Sequence, residues 1–241
     1  MCDKIKQELH AQRMNGMEIK PIGHIRNAFP TKFGLPRQGG ICKSISAALV
    51  FEPEFRSPDA LRGLEKYSHV WIIWGFSENN YKEFSPTVRP PRLGGNTRMG
   101  VFATRSSYRP NSLAMSCLKL EKIEKTENEG LVLRLAGADM MDFTPVYDVK
   151  PYLPHIDSIP DALGGFSTEI DDYTKDVFIP EEFKCLLPSD LLPCLTEALA
   201  QDPRPSYIDD ENRVFGFEFD KFEVKFKVEG KILTVTSIEP K

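Results

Sequence analysis

The sequence predicts a mainly β protein, in which a barrel-like domain of short strands precedes a small α+β subdomain. Three observations carry this expectation. Apolar and polar residues alternate at period two in LVLRL and in CLKLEKI, the spacing of a half-buried strand. Short apolar runs are separated by FGLPRQGG, RPPRLGGN and YRPN, where proline fixes φ and glycine or asparagine tolerates positive φ. No GxGxxG follows a strand. GGNTRMG has the wrong spacing and bulky residues between its glycines, which disfavours a Rossmann nucleotide fold.

Taken in order, residues 1–18 read as a polar tail. From Ile19 onward, strands are predicted at IKPIGHI, KSISAALVFEP, SHVWIIWGF, GVFAT, SLAMSCLKLEKIEK and GLVLRLAGADM. SHVWIIWGF is continuously apolar and suits a strand buried on both faces. SPDALRGLEKY predicts a helix starting near Ser57, with a serine cap, an early proline and an acid in the first turn. Many strands and few helices give a closed or nearly closed barrel-like domain over 19–160. Past Pro160 the character changes, and 161–241 is expected to form the α+β subdomain. DALGGFSTEIDDYTKDVFIPEE is acidic and broken by glycines, so it reads as a linker or ordered loop. A helix follows from about Ser189 to Ala200, with Leu191, Leu192, Leu195 and Leu199 on one stripe. FEVKFKVEGKILTVTSIEP is a hairpin, since Phe222, Val224, Phe226 and Val228 alternate with charges and Glu229-Gly230 supplies the turn.

The bulk properties exclude several function classes. With 241 residues, 41% hydrophobic and 27% charged, the chain falls among soluble globular proteins. No apolar run approaches the roughly 18–20 residues of a membrane span. The N-terminal stretch lacks the apolar core of a secretory signal, and its acids argue against a transit peptide. Cys2, Cys42, Cys117, Cys185 and Cys194 form no CxxC, and the four histidines form no HxxxH or HExxH. Neither a disulfide framework nor a metal site is expected, and a cytoplasmic location fits. A P-loop and a GxSxG nucleophile elbow are both missing.

Charge is unevenly placed. Residues 19–51 hold Lys20, Arg26, Lys32, Arg37 and Lys43 with no acid. Residues 85–120 hold Arg89, Arg92, Arg98, Arg105, Arg109 and Lys119, again with no acid. The two windows carry +11, leaving −15 for the remainder of a chain whose net charge is −4. An anionic partner follows, with nucleic acid and phosphorylated small molecules both allowed.

Four loops are candidates for chemistry. In FGLPRQGG, Pro36 stiffens the approach and Arg37 and Gln38 offer planar donors; the alternative is a plain hairpin turn. After SHVWIIWGF, Ser77, Glu78 and Asn79 put polar groups at the rim of an apolar wall, as any exposed strand end would. In RSSYRPN, Arg105 is suited to fork onto carboxylate or phosphate, Tyr108 offers a ring to a base, and Asn111 offers a carbonyl to an amine. AGADMMDF pairs Asp139 with Asp142 across Met140 and Met141, a spacing open to capping, pocket-lining or general-base roles but without a metal-ligating partner nearby.

These residues carry a resemblance. PIGHIRNAF, FGLPRQGG, ALRGLEKYSHVWIIWGF, TVRPPRLGGNTRMGVFATRSSYRPNSLAMS, DFTPVYDVKPYLP and QDPRPSY together resemble the TrmO family of S-adenosylmethionine-dependent tRNA methyltransferases. The resemblance implies a non-Rossmann β-barrel methyltransferase domain and N6-methylation of the threonylcarbamoyl-modified adenosine beside the anticodon of threonine tRNA. It also implies a homodimer with S-adenosylmethionine bound near the subunit interface. The cofactor loops transfer onto Pro36, Arg37, Gln38, Ser77, Glu78, Arg105, Met115, Asp139, Met140, Met141 and Asp142. Ser77-Glu78 departs from the His-Gln of some members. On this reading Asn111 and Tyr108 stand at the reacting base, and Arg89, Arg92, Arg98 and Arg109 track the RNA backbone. The rivals are a catalytically silent RNA- or nucleotide-binding module and a small-molecule methyltransferase on the same barrel.

Overall fold

The computed structural model describes residues 17–78, 84–90, 93, 96–168, 174–205 and 210–241. The first part of the chain contributes β1 (Gly23–Arg26), β2 (Ser46–Phe51), β3 (His69–Gly75), a two-residue pair β4 (Thr87–Val88) and β5 (Met99–Gly100), then β6 (Leu113–Thr126), β7 (Gly130–Ala136) and β8 (Pro145–Pro151). Six of these form a closed, barrel-like ring in the order β1-β2-β7-β6-β3-β8, antiparallel throughout. The ring closes where Gly23 and His24 of β1 pair with Val146 and Pro145 of β8. β4 and β5 stand outside it as a small antiparallel ribbon.

Alternation sets which side chains enter the core. Along β6, Ser116, Leu118 and Leu120 are buried while Met115 and Lys119 are exposed. Ile25, Leu49, Val70, Ile72, Leu118, Leu133, Leu135 and Val146 fill the interior, each wholly buried. Burial of such a side chain contributes roughly 1.5–3 kcal/mol. Because every ring pairing is antiparallel, the connections 27–45, 76–112 and 137–144 all emerge at one end, opposite 52–68 and 127–129. That end collects the loops singled out by their composition.

The second part contains α1 (Pro154–Asp157), β9 (Asp176–Phe178), α2 (Glu181–Lys184), α3 (Leu191–Ala200), β10 (Phe215–Phe219), β11 (Phe222–Glu229) and β12 (Ile232–Pro240). Its sheet has the order β10-β11-β12-β9, with β9 parallel to β12. This sheet and α3 brace the 27–45 connection from behind. Phe33 packs against Phe217 and Phe226 at 6.1 and 6.4 Å between ring centroids, and Phe29 meets Phe219 edge-on at 5.2 Å. The Asp220 amide donates to the Ala28 carbonyl (2.6 Å), and the Ser44 amide to the Glu197 carboxylate (3.0 Å). The barrel and the C-terminal sheet therefore share one continuous hydrophobic core.

Several local expectations need correction. SPDALRGLEKY forms two 3-10 turns, Pro58–Leu61 and Leu64–Lys66, rather than an α-helix, because Gly63 between them is left-handed at φ 92°. Ser57 nevertheless caps the first, accepting from the Asp59 amide. In GVFAT, only Gly100 belongs to a strand, and Val101–Ala103 turn into a 3-10 helix anchored by buried Val101. SHVWIIWGF is not buried on both faces. Val70, Ile72 and Trp74 point into the core, whereas Trp71 and Ile73 are half-buried. β8, β9 and β10 carry no strand expectation, and β8 supplies the sixth wall of the ring. Among the described residues no helix is long and apolar enough to cross a membrane, and no cluster of three metal-ligating side chains occurs.

Candidate functional site

At the loop end of the ring lies a pocket of about 590 Å³. Its apolar walls come from the end of β3 (Ile73, Trp74), Phe76 just beyond it, and the start of β6 (Leu113, Ala114, Met115). Its polar lining comes from the loops: Lys32, Arg37 and Gln38 beside Pro36 in the first connection, Arg105 and Arg109 in the second, and Asp139 in the third. The volume and the mix of apolar walls with a few convergent polar groups match a site for a small molecule of cofactor size.

A buried hydrogen-bond chain fixes the floor. The Trp74 indole N–H donates to the Ser116 hydroxyl at 3.0 Å, and that hydroxyl donates to the Asp139 carboxylate at 2.6 Å. Burial pushes Asp139 above the usual carboxylate range. The Ser116 hydroxyl, the Gly39 amide and the charge of Arg105 oppose that rise. Gly39 lets the first connection close over this chain, since a Cβ there would sit 3.1 Å from the Ser116 Cβ and 3.3 Å from Asp139. On the rim, the Arg105 guanidinium donates to the Gln38 side-chain carbonyl at 2.6 Å, and the Gln38 side-chain Nε2 donates to the Arg37 backbone carbonyl at 2.6 Å. The first and second connections are thereby tied together across the pocket mouth.

A second, larger cleft of about 1720 Å³ adjoins this pocket, and the two share Arg37, Gln38, Thr104, Arg105 and Arg109 as a common wall. Arg89, Arg98 and Tyr108 line the cleft, and Gly164–Ser167 close its other side. The Arg98 guanidinium bonds the Thr87 hydroxyl at 3.4 Å. Arg109 turns inward, donating to the Thr104 and Ser106 carbonyls at 3.1 and 3.2 Å, and so stiffens its own loop.

The structure thus brings Pro36, Arg37, Gln38, Arg105, Met115 and Asp139 together around the pocket, with Arg109 on the wall. Other singled-out residues stand apart. Ser77 and Glu78 are exposed beyond β3, where the Glu78 carbonyl accepts from the Lys32 ammonium at 3.2 Å. Met140 is buried in the core, and its carbonyl accepts from Asn27 at 2.7 Å. The Met141 carbonyl accepts from the Thr144 amide. Asp142 pairs with Arg26 at 3.1 Å and accepts the Asn27 amide at 3.0 Å. Of Asp139–Asp142, only Asp139 reaches the pocket. Asn111 is exposed and lines neither cavity, while its carbonyl accepts the Leu113 amide at 2.6 Å. Arg92 and Asn79 lie outside the described residues. Lys32, Trp74 and Ser116 were not expected at the site. Lys32 stands in the acid-free first window, and Ser116 is a hydroxyl among the inward residues of an alternating strand.

A closed antiparallel ring with a cofactor-sized pocket in its loops, opening onto an arginine-lined cleft, defines a strand-built ligand-binding protein outside the Rossmann class. Family comparison makes the class specific. The chain belongs to the tRNA-methyltransferase O family: residues 24–158 match the family's N-terminal domain and residues 182–241 its C-terminal domain. It is 39% identical over 236 residues to the tRNA (adenine(37)-N6)-methyltransferase of Escherichia coli K12, covering 95% of this chain and 100% of that protein. It is 42% identical to a protein of the same name from Eikenella corrodens, covering 71% of this chain and 97% of that protein. A crystal structure of TrmO from Pseudomonas aeruginosa matches with a TM-score of 0.73 at 31% identity, covering 92% of this chain and 98% of that one.

Proposed function

We propose that this protein is an S-adenosylmethionine-dependent tRNA methyltransferase acting on N6 of the adenosine next to the anticodon. In its finer form the substrate is the threonylcarbamoyl-modified adenosine of threonine tRNA, and the enzyme works as a cytoplasmic homodimer. The single observation that carries the reading is the wall of Arg37, Gln38, Thr104, Arg105 and Arg109 shared by a cofactor-sized pocket and a cationic cleft. A small-molecule donor and a polyanionic acceptor can meet across it. Family membership and the names of the relatives agree with this assignment.

The pocket residues fit the donor. Its half-buried carboxylate, Asp139, is an acceptor for hydroxyl or amine groups, the guanidinium of Arg105 suits a carboxylate, and Ile73, Trp74 and Phe76 suit an apolar or aromatic surface. When bound, S-adenosylmethionine supplies an electrophilic methyl group on a sulfonium. The protein's own task is to hold donor and acceptor in line and to exclude water. An exocyclic adenine amine is a weak nucleophile because its lone pair conjugates with the ring. A carbonyl accepting one of its N–H bonds orients that lone pair, and a strong base is unnecessary because the nitrogen becomes acidic as it is methylated. Asn111, exposed between cleft-lining Pro110 and Ser112, would offer its side-chain carbonyl for this role. Arg89, Arg98 and Arg92 neutralise backbone phosphates, and Tyr108 stands beside the base from the cleft wall.

Mass spectrometry of tRNA nucleosides from cells with and without the gene tests the assignment. Loss of an N6-methylated threonylcarbamoyl adenosine is the expected result, and an unchanged nucleoside profile refutes it. Single-turnover methylation by Asn111→Ala tests the orienting role, which fails if the rate is unchanged.

A further inference from the structure

The wall of the larger cleft carries two aromatic rings that the fold itself does not need. Val101 is buried and its amide donates to the Pro86 carbonyl at 3.0 Å. Its carbonyl accepts from both the Thr104 amide (3.2 Å) and the Thr104 hydroxyl (2.9 Å). These bonds pin the 3-10 turn Val101–Ala103 and force Phe102 outward, 72% exposed. Phe84, 57% exposed, stands beside it with ring centroids 6.4 Å apart and planes 26° apart. Both rings line the cleft with Arg89 and Arg98. Exposed apolar rings on a rigid turn point to an interaction surface rather than to core packing.

The surrounding charge selects the occupant. Residues 84–112 contain five arginines and no acid. A homodimer holding its cofactor near the interface brings a second copy close to this cleft, but a two-fold contact made on the ring patch itself would oppose two such windows, because it places the same patch on both subunits. An acidic protein would satisfy the arginines without needing two exposed ring faces. Single-stranded nucleic acid satisfies both, since phosphates pair with the guanidinium groups and unpaired bases stack on the rings.

We propose that Phe84 and Phe102 form a stacking floor for unpaired bases flanking the target adenosine in the anticodon loop. The proposal rests on the tRNA methyltransferase reading and adds to it the side chains that grip bases rather than phosphates. It assigns Arg98 the sequence-independent share of affinity and the two phenylalanines a salt-independent share.

The experiment uses the full-length protein and an anticodon stem-loop of threonine tRNA carrying 2-aminopurine beside the target adenosine. Wild-type protein should quench the fluorophore, and Phe102→Ala and Phe84→Ala should each abolish the quench and weaken RNA affinity about tenfold. Affinity for S-adenosylmethionine, read by calorimetry, should be unchanged and reports that these variants fold. Phe102→Tyr should restore RNA affinity. The slope of affinity against salt should be unaltered in Phe102→Ala and shallower by about one unit in Arg98→Ala. Wild-type quench and RNA affinity in the alanine variants overturn the proposal. So does a fall in sedimentation mass for Phe102→Ala, which would make the pair a contact between copies. A wild-type protein that neither binds S-adenosylmethionine nor methylates the full tRNA overturns the methyltransferase reading itself, a result distinct from either.

Discussion

Replacing Ser116 with alanine removes one oxygen from the pocket floor and tests how that floor is organised. The hydroxyl accepts from the buried Trp74 indole at 3.0 Å and donates to Asp139 at 2.6 Å. Its loss leaves a buried N–H without its acceptor, which costs about 1–3 kcal/mol, and deletes a bond to a charged acceptor worth about 1.5–3 kcal/mol. Partial relaxation brings the expected destabilisation to about 2–3 kcal/mol, a fall in Tm of about 5–10 °C for a chain of this size. The pH dependence has a definite sign. Burial raises the Asp139 pKa and the Ser116 bond opposes that rise, so the substitution moves the pKa further up. A carboxyl group raised in the folded state favours folding most while protonated, and that contribution is lost as pH rises through its folded pKa. The variant's deficit should therefore be largest at neutral pH and shrink on acidification. Affinity for S-adenosylmethionine should fall about tenfold at neutral pH, with its acid limb displaced to higher pH. Denaturation and calorimetric titration across pH measure both. A variant with wild-type Tm, affinity and pH profile would refute the idea that the Trp74–Ser116–Asp139 chain organises the site.

Arg105→Lys keeps the charge but loses the planar donor that holds Gln38 at 2.6 Å, so cofactor affinity should drop about fivefold with Tm nearly unchanged, as calorimetry and a thermal melt will report. Asp202→Asn removes the carboxylate charge that Arg204 binds through two contacts of 2.9 Å and Lys175 at 3.7 Å, and should cost about 3 kcal/mol at pH 7 in urea titrations. Burial alone would raise the Asp202 pKa, but Arg204 and Lys175 outweigh it and hold the carboxylate below its ordinary range. Its contribution is thus present above the unfolded value and lost as pH falls through the folded one, so the deficit should narrow below about pH 4. Burial, reinforced by the charge of Glu197, pushes the thiols of Cys42 and Cys194 up to about 12. In iodoacetamide at pH 8, peptide mass spectrometry should find exposed Cys185 alkylated while Cys42 and Cys194 react only after denaturant is added.

How far the sequence could be read depended on whether each signal was local. Alternation in LVLRL and CLKLEKI announced β7 and β6 because period two is written into neighbouring residues. The helix α3 and the hairpin of β11 and β12 were legible for the same reason, although Glu229 is still paired with Ile232 and the turn is Gly230-Lys231 rather than Glu229-Gly230. β8 escaped notice because PVYDVKP alternates only weakly and its proline-bounded ends resemble a loop; only its pairing with β1 and β3 makes it a strand. At the site, acid-free composition marked the loops that carry Arg37, Arg105 and Arg109. The division of Asp139 from Asp142 was not legible, since positive φ at Phe143 and the pairing with Arg26 turn the second carboxylate away. Ser116 required knowing that Lys119 of β6 pairs with Ala136 at the end of β7, a register that carries Ser116 to the side of Asp139.

The packing of Phe217 and Phe226 behind Phe33 has a practical consequence for anyone who trims this chain. A fragment ending near residue 160 would retain every strand of the ring and every residue that touches the pocket. It would lose the backing that keeps Pro36, Arg37 and Gln38 pressed toward the mouth. Such a fragment should still register as β-rich by circular dichroism while its grip on a small molecule slackens. Measurements on the isolated front half would then understate what the whole polypeptide can hold.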